Sequence, residues 1–95
     1  MHVREFQKKI EAIYFARDSA RGLEGTYMWF AEEVGELARA FRKNDRENLE
    51  QEFADCLAWL STLASIAKID LEGAAVRKYG AGCPRCGKTP CGCPA

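Results

Sequence analysis

Two acidic segments, Trp29-Phe-Ala-Glu-Glu-Val-Gly-Glu36 and Glu52-Phe-Ala-Asp55, decide the fold of this chain. Each segment carries a carboxylate pair with i, i+3 spacing, Glu33/Glu36 and Glu52/Asp55, which places both carboxylates of a pair on one face of a helix. A turn-like stretch, Lys43-Asn-Asp-Arg46, separates the two segments. We therefore expect two helices that fold back on each other as an antiparallel hairpin.

In such a hairpin the two carboxylate pairs lie at nearly the same level. At about 1.5 Å of rise per residue they overlap within roughly one helical turn, and each pair borders the apolar stripe of its own helix. A lone Glu-x-x-Glu pair is usually a solvated surface, but two facing pairs bring four like charges together. Like charges repel unless a cation lies among them, so the pattern predicts a site for a divalent ion.

The ligand type narrows the choice of ion. Ligands that are all carboxylates favour Mg²⁺, with Mn²⁺ also suitable, over zinc or copper. A di-iron bundle needs Glu-x-x-His motifs, and the only histidine, His2, lies outside the predicted helices. Because Mg²⁺ held by carboxylates usually completes its shell with water and substrate phosphates, we expect a phosphate-bearing substrate. The acidic residues left to solvent are Glu32, Glu47 and Glu50.

Hydrophobic periodicity predicts an all-α fold, an antiparallel bundle of about four helices per chain. Gly22 and Gly25 bracket a break between the first two of these helices. The expected helices span Val3–Arg17, Tyr27–Lys43, Asp45–Lys68 and Leu71–Tyr79. The composition changes at Gly80, which divides the chain into a helical domain, residues 1–80, and a short Cys-rich tail, residues 81–95.

Composition limits the partners of the protein. A chain of 95 residues that is 47% hydrophobic has more apolar surface than one small domain normally buries, so we expect an oligomer. Equal numbers of basic and acidic residues, 14 of each, argue against binding to long nucleic acid. The longest apolar run, Cys56 to Ala67, is too short to span a bilayer, and the N-terminus lacks the apolar core of a signal peptide. We expect a cytoplasmic protein without a membrane partner.

The acidic segments resemble the signature of MazG-like, all-α nucleoside triphosphate pyrophosphohydrolases. The first motif is Glu-Glu-x-x-Glu-Leu, residues 32–37. The second motif, Glu-x-x-Asp at residues 52–55, begins after 15 residues that follow Glu36. The flanking segments Trp29-Phe-Ala and Cys56-Leu-Ala-Trp-Leu also fit the family, and the resemblance covers about residues 5–80. It implies Mg²⁺-dependent cleavage of a nucleoside triphosphate or deoxynucleoside triphosphate between the α and β phosphates, which gives a monophosphate and pyrophosphate.

The resemblance also implies site residues and an assembly. It assigns Glu33, Glu36, Glu52 and Asp55 as Mg²⁺ ligands, and it implies a homodimer or homotetramer. Lys78 is the first candidate to bind the triphosphate, because family members resemble this chain in a basic residue and Tyr there. Arg77 is the second candidate, and a plain helix-terminal charge explains Lys78 equally well. Trp29 shares the face of Glu33 and is a candidate to stack on the base, although a core aromatic is the simpler interpretation.

The tail Gly82-Cys-Pro-Arg-Cys-Gly-Lys-Thr-Pro-Cys-Gly-Cys93 departs from the minimal family pattern. Cys83-Pro-Arg-Cys86-Gly resembles a zinc knuckle, and Cys91-x-Cys93 supplies two more thiolates, which together predict a closed structural zinc site. The short spacing between the two pairs leaves open a zinc ion shared between protomers. Disulfides between the cysteines, or a tail that binds no metal, are also compatible with this sequence.

Two classes of function follow from these patterns. The first is a nucleotide pyrophosphohydrolase. Phosphoribosyl-ATP pyrophosphohydrolase is a sister activity of the same superfamily, but the zinc-like tail and the context of the acidic motif favour it less. The second is a non-enzymatic helical dimer with a structural zinc clip that acts as an adaptor or regulator. Mg²⁺-dependent release of pyrophosphate distinguishes the two.

Overall fold

The computed structural model describes all 95 residues, which form three helices and no strand. The helices are α1 (Val3–Lys43), α2 (Arg46–Ile66) and α3 (Leu71–Tyr79). The all-α fold is therefore confirmed, whereas the count of four helices is wrong. Residues from Gly80 onward follow α3 as turns and irregular chain. None of the helices is long and apolar enough to cross a membrane.

The fourth helix is missing because the expected break between the first two helices is a single residue. Gly22 has φ 80° and ψ 177°, and it is the one non-helical residue inside α1. Glycine adopts this backbone conformation without the steric cost that a side chain would add. Thr26 is fully buried one turn later, and its Oγ1 donates to the Gly22 carbonyl at 2.7 Å. The helix thus changes direction at Gly22 without an intervening loop.

The second half of α1 and the whole of α2 form the predicted antiparallel hairpin. Asn44 adopts the left-handed conformation at the end of α1, with φ 54°, and the Asp45 side chain accepts from the Asn48 N–H at the start of α2. Close to this turn the rings of Phe41 and Phe53 pack edge to face with centroids 5.8 Å apart. Side chains near residue 33 of α1 therefore face residues near 56 of α2.

Polar side chains attach the first half of α1 to the connection between α2 and α3. The buried amide of Gln7 donates to the Ser65 hydroxyl at 3.1 Å and to the Ile69 carbonyl at 2.8 Å, and it accepts from the Leu71 N–H at 2.9 Å. Nearby, the Arg4 guanidinium forms ion pairs on the surface that hold the start of α3. The Gln7 amide thus satisfies backbone groups of Ile69 and Leu71, where the chain turns from α2 to α3.

The single chain buries little apolar surface. Eight of its 95 residues are buried, and only Ile10, Ala40 and Ala64 among them are hydrophobic. Large apolar side chains remain exposed along both halves of α1 and along α2, for example Phe15, Met28, Tyr27, Phe41 and Phe53. A domain of this size normally needs more buried apolar area for stability.

Replacing Gln7 by alanine should lower the free energy of unfolding by about 1–3 kcal/mol. The substitution leaves the Leu71 N–H and the Ile69 carbonyl without their side-chain partner in a partly buried place. Chemical denaturation followed by circular dichroism measures the loss. The matched control is Gln51→Ala, an exposed helical glutamine, which should change the stability far less. Equal effects of the two substitutions would contradict the role given to Gln7.

Candidate active site

Three of the four predicted carboxylates converge between α1 and α2. Glu33 from α1 and Glu52 and Asp55 from α2 each offer an oxygen, and these oxygens lie within 4.8 Å of one another. The i, i+3 spacing places Glu52 and Asp55 on the face of α2 that meets α1. We call these three residues the acidic cluster.

Glu36, the fourth predicted carboxylate, lies at the edge of the acidic cluster and not within it. Its carboxylate lies 3.8 Å from the Arg39 guanidinium on the same helix. The i, i+3 spacing that brings Glu52 and Asp55 together on α2 therefore does not by itself bring Glu36 to Glu33 on α1. Its charge is still close enough to contribute to the raised pKa of Glu33.

The acidic cluster carries uncompensated negative charge. The pKa of Glu33 is raised to about 7, first because its protonated form can share a hydrogen bond with Glu52, and then because of burial and the neighbouring carboxylates. Burial, followed by the charge of Glu52, also raises the pKa of Asp55. Neither lysine nor arginine forms an ion pair with any of the three. The neighbouring carboxylates therefore make Glu33 and Asp55 harder to ionise.

One oxygen of the acidic cluster has no partner. Oε2 of Glu52 is buried and receives no hydrogen bond. Buried carboxylate oxygens are normally satisfied by a donor or a cation, because an unsatisfied one is costly. Three convergent carboxylates, one of them with an unpartnered buried oxygen, form a donor set that suits a hard divalent cation such as Mg²⁺.

Cys56 packs beside the acidic cluster as a structural residue. Its thiol lies 3.7 Å from the Glu33 carbonyl oxygen across the helix pair. Burial, with smaller contributions from Glu33, Glu52 and Asp55, raises the pKa of this thiol. The thiol therefore stays protonated near neutral pH and is unsuited to act as a nucleophile.

A cleft of about 390 Å³ opens next to the acidic cluster, with Asp55 in its wall. The wall also includes three aromatic and two basic side chains: Tyr14, Arg17 and Arg21 come from the first half of α1, and Trp29 and Trp59 come from the hairpin. The bend at Gly22 brings these two parts of the chain to one cleft. A pocket with aromatic surfaces and arginines beside carboxylates has the chemistry to hold a base and phosphates.

The indoles and Arg21 in the cleft wall are already ordered by protein contacts. The rings of Trp29 and Trp59 are stacked, with centroids 6.3 Å apart and planes 11° apart. The Arg21 guanidinium lies 5.0 Å from the Trp59 ring centroid and pairs with Asp18 at 2.9 Å. Asp18 is buried and also accepts from the Thr62 hydroxyl at 3.2 Å. These contacts hold the wall in place before any ligand binds.

The basic residue predicted from sequence lies elsewhere. Lys78 is exposed near the end of α3, with its ammonium 5.6 Å from the Tyr79 ring centroid, and it is not part of the cleft wall. Arg17 and Arg21, which do line the cleft, were missed because their helix reads as an amphipathic packing helix. Their i, i+4 spacing indicates a shared face, but only the bend at Gly22 shows what that face meets.

The four tail cysteines form a second cluster. The sulfur atoms of Cys83, Cys86, Cys91 and Cys93 lie within 4.8 Å of one another, and all four thiols are free. Hydrogen bonds from the backbone N–H groups of Cys86 and Arg85 lower the pKa of Cys83 to about 6. Neighbouring thiols raise the pKa of Cys93 to about 11.

In metal-free protein, the raised pKa of Glu33 predicts stability that falls as the pH rises. The carboxyl group titrates at 4.5 in its ordinary state and at about 7 in the fold, so the folded state binds this proton more tightly than the unfolded state. The contribution is complete below about pH 4.5 and is lost as the pH rises through about 7. Thermal melts in chelator should show this fall, and Glu33→Gln should reduce it. An identical pH dependence in wild type and variant would contradict the crowding of Glu33.

Comparison with known proteins agrees with this geometry. Residues 21–87 match the MazG nucleotide pyrophosphohydrolase domain, a stretch that covers well over half of the chain and contains the acidic cluster, α2 and α3. The chain has no significant match among curated proteins. Proteins with this domain are nucleotide pyrophosphohydrolases, so the match indicates a hydrolase at the level of the family. The chain belongs to the MazG nucleotide pyrophosphohydrolase family.

Proposed function

We propose that this protein hydrolyses nucleoside triphosphates, ribose or deoxyribose, between the α and β phosphates in a Mg²⁺-dependent reaction. The products are a nucleoside monophosphate and pyrophosphate. The observation that carries the proposal is the acidic cluster with its unpartnered Glu52 oxygen, in direct contact through Asp55 with an aromatic and basic cleft. The family match supports the class of reaction.

The acidic cluster is the proposed metal site. Glu33, Glu52 and Asp55 would hold Mg²⁺, or Mn²⁺ in its place, and Glu36 would join them by a change of rotamer, because its long contact with Arg39 is weak. When bound, Mg²⁺ neutralises phosphate charge and orients the leaving pyrophosphate. A carboxylate of the site that is not fully engaged by the metal is the proposed acceptor of the proton from the attacking water.

The cleft is the proposed nucleotide site. Trp29 is half exposed with its inner side on Trp59, so its free surface can stack on a base. Arg21 is engaged with Asp18, whereas Arg17 has no ion pair and is the cation in the cleft wall that is free to contact phosphate oxygens. Lys78, predicted from the family resemblance, is the second candidate for the triphosphate and would have to reach it from another chain or after a movement of α3.

The exposed apolar surface supports a homodimer or homotetramer. Phe15, Met28, Phe41 and Phe53 are all more than half exposed in the single chain. Covering these side chains in a subunit interface would supply the apolar burial that the single chain lacks. Analytical ultracentrifugation of the purified chain determines the number of subunits.

The proposed activity is tested by product analysis with a panel of nucleoside and deoxynucleoside triphosphates in Mg²⁺. Pyrophosphate together with the monophosphate supports cleavage between the α and β phosphates, whereas inorganic phosphate together with the diphosphate would contradict it. No turnover with any member of the panel would favour the non-enzymatic adaptor or regulator.

The role of Arg17 is tested in the same assay. Arg17→Ala should raise KM about tenfold through loss of a charged hydrogen bond. The control Arg42→Ala changes an exposed arginine outside the cleft wall and should leave KM unchanged.

The acidic cluster is tested with Glu52→Gln and Asp55→Asn. Each change removes one negative charge and keeps the shape, and each should lower kcat/KM on the order of 100-fold, as the loss of one electrostatic group does in many active sites. Because it also removes repulsion, each should leave the metal-free protein at least as stable as wild type. The matched control is Glu50→Gln, an exposed residue of the same helix, with unchanged activity expected. Full activity in both cluster variants would overturn the proposed metal site.

A further inference from the structure

We propose that Cys83, Cys86, Cys91 and Cys93 hold one Zn²⁺ ion per chain in a closed, structural site. The ion is bound within one chain, it has no catalytic role, and it gives the tail its fold. This inference is independent of the proposed pyrophosphohydrolase activity, since it rests on a different part of the molecule.

The spacing of the sulfur atoms fits four ligands around one zinc. Zinc–sulfur bonds of about 2.3 Å in a tetrahedron place the sulfur atoms about 3.8 Å apart. The sulfur of Cys83 lies 3.7 Å from that of Cys93 and 3.6 Å from that of Cys91. A disulfide would require about 2.05 Å, so these pairs are too far apart to be bonded. Since all four sulfurs come from one chain, no second chain is needed to complete the shell.

The backbone of the tail is arranged around the sulfur atoms. The N–H of Gly87 donates to the Cys83 carbonyl at 2.7 Å, and the N–H of Cys83 donates to the Lys88 carbonyl at 3.0 Å, which closes a tight loop around the first cysteine pair. Two further N–H groups point at sulfur: Gly92 donates to Cys86 at 3.2 Å and Cys93 donates to Cys91 at 3.3 Å. Such bonds stabilise thiolates, the form of cysteine that binds metal.

Two glycines permit this loop. Gly87 has φ +74° and Gly82 has φ +113°, both in the region that favours glycine. A β-carbon at Gly82 would also lie 2.8 Å from Thr89 Oγ1 and 3.0 Å from the Gly87 carbonyl oxygen. The two sides of the loop therefore approach each other more closely than a side chain would allow.

Charge also favours this site. Zinc with four thiolates carries a net charge of minus two, which is costly unless cations lie close by. Residues 81–95 contain two basic side chains, Arg85 and Lys88, and no aspartate or glutamate. The side chains of the tail thus offset the charge of the centre. Four thiolates without a carboxylate are a soft ligand set, which selects zinc over Mg²⁺.

Little else can hold the tail in its fold. Residues 81–95 form no helix or strand, and their apolar side chains are limited to two alanines and three prolines besides the cysteines. A segment this small has no hydrophobic core to offset the entropy of ordering its chain, whereas a structural zinc ion contributes folding free energy directly. With all four positions taken by sulfur, the ion has no place for a substrate or water, which excludes catalysis by it.

The test is elemental analysis of the full chain purified without chelator. One zinc per chain is expected, and Cys86→Ser and Cys91→Ser should each lose most of it, while Cys56→Ser, which changes a cysteine outside the site, keeps it. Substitution of zinc by Co²⁺ should give the visible absorption of tetrahedral thiolate coordination. Half a zinc per chain, iron in place of zinc, or a metal-free tail with disulfides found by mass spectrometry would each overturn the proposal.

Limited proteolysis with trypsin gives a second readout that does not depend on the variants folding. In zinc-loaded protein the bonds after Arg85 and Lys88 should resist cleavage, and after removal of zinc with a strong chelator these bonds should be cut first. The helical circular dichroism signal should persist, because α1 and α2 hold each other independently of the tail. Equal cleavage with and without zinc would contradict a structural role.

Discussion

The close approach of three like charges between α1 and α2 is the constraint on which the site depends. Glu33, Glu52 and Asp55 repel one another, and one Glu52 oxygen is buried without a donor. The helix pair is held together against this repulsion by contacts on either side of the acidic cluster: Phe41 on Phe53 near the turn, and Trp29 on Trp59 further along. The hairpin thus holds the carboxylates in an arrangement that a divalent cation would stabilise.

The bend at Gly22 adds the second half of the site. Without it, α1 would continue straight past α2, and Tyr14, Arg17 and Arg21 would not share a cleft with Asp55 and the indoles. One residue in a conformation that suits glycine redirects 19 residues of helix, and the hydroxyl of buried Thr26 donates to the Gly22 carbonyl at the bend. The proposed nucleotide cleft therefore depends on a feature that lies outside the acidic segments of the sequence.

Features set by local spacing were predictable from sequence, and features set by the path of the chain were not. The i, i+3 spacing and the turn at residues 43–46 predict the hairpin and the meeting of Glu33, Glu52 and Asp55, because helical geometry is regular over such distances. Whether Glu36 joins them depends on the rotation of α1 about its own axis, which helix boundaries known to within two residues do not resolve. Gly22 reads as a break between helices, since sequence does not distinguish a bend from a loop. Arg17 was not predicted to line the cleft for the same reason. Lys78 was predicted to bind the triphosphate only because of the family resemblance.

The central claim is that the acidic cluster binds a divalent cation, and Mn²⁺ binding tests it most directly. Electron paramagnetic resonance of Mn²⁺ titrated into nucleotide-free protein counts bound ions without any need for turnover. Wild-type protein should bind Mn²⁺ in competition with Mg²⁺, Glu52→Gln should bind it much more weakly, and Glu50→Gln should bind it as wild type does. Absent binding to wild type, or equal binding to wild type and Glu52→Gln, would contradict the account.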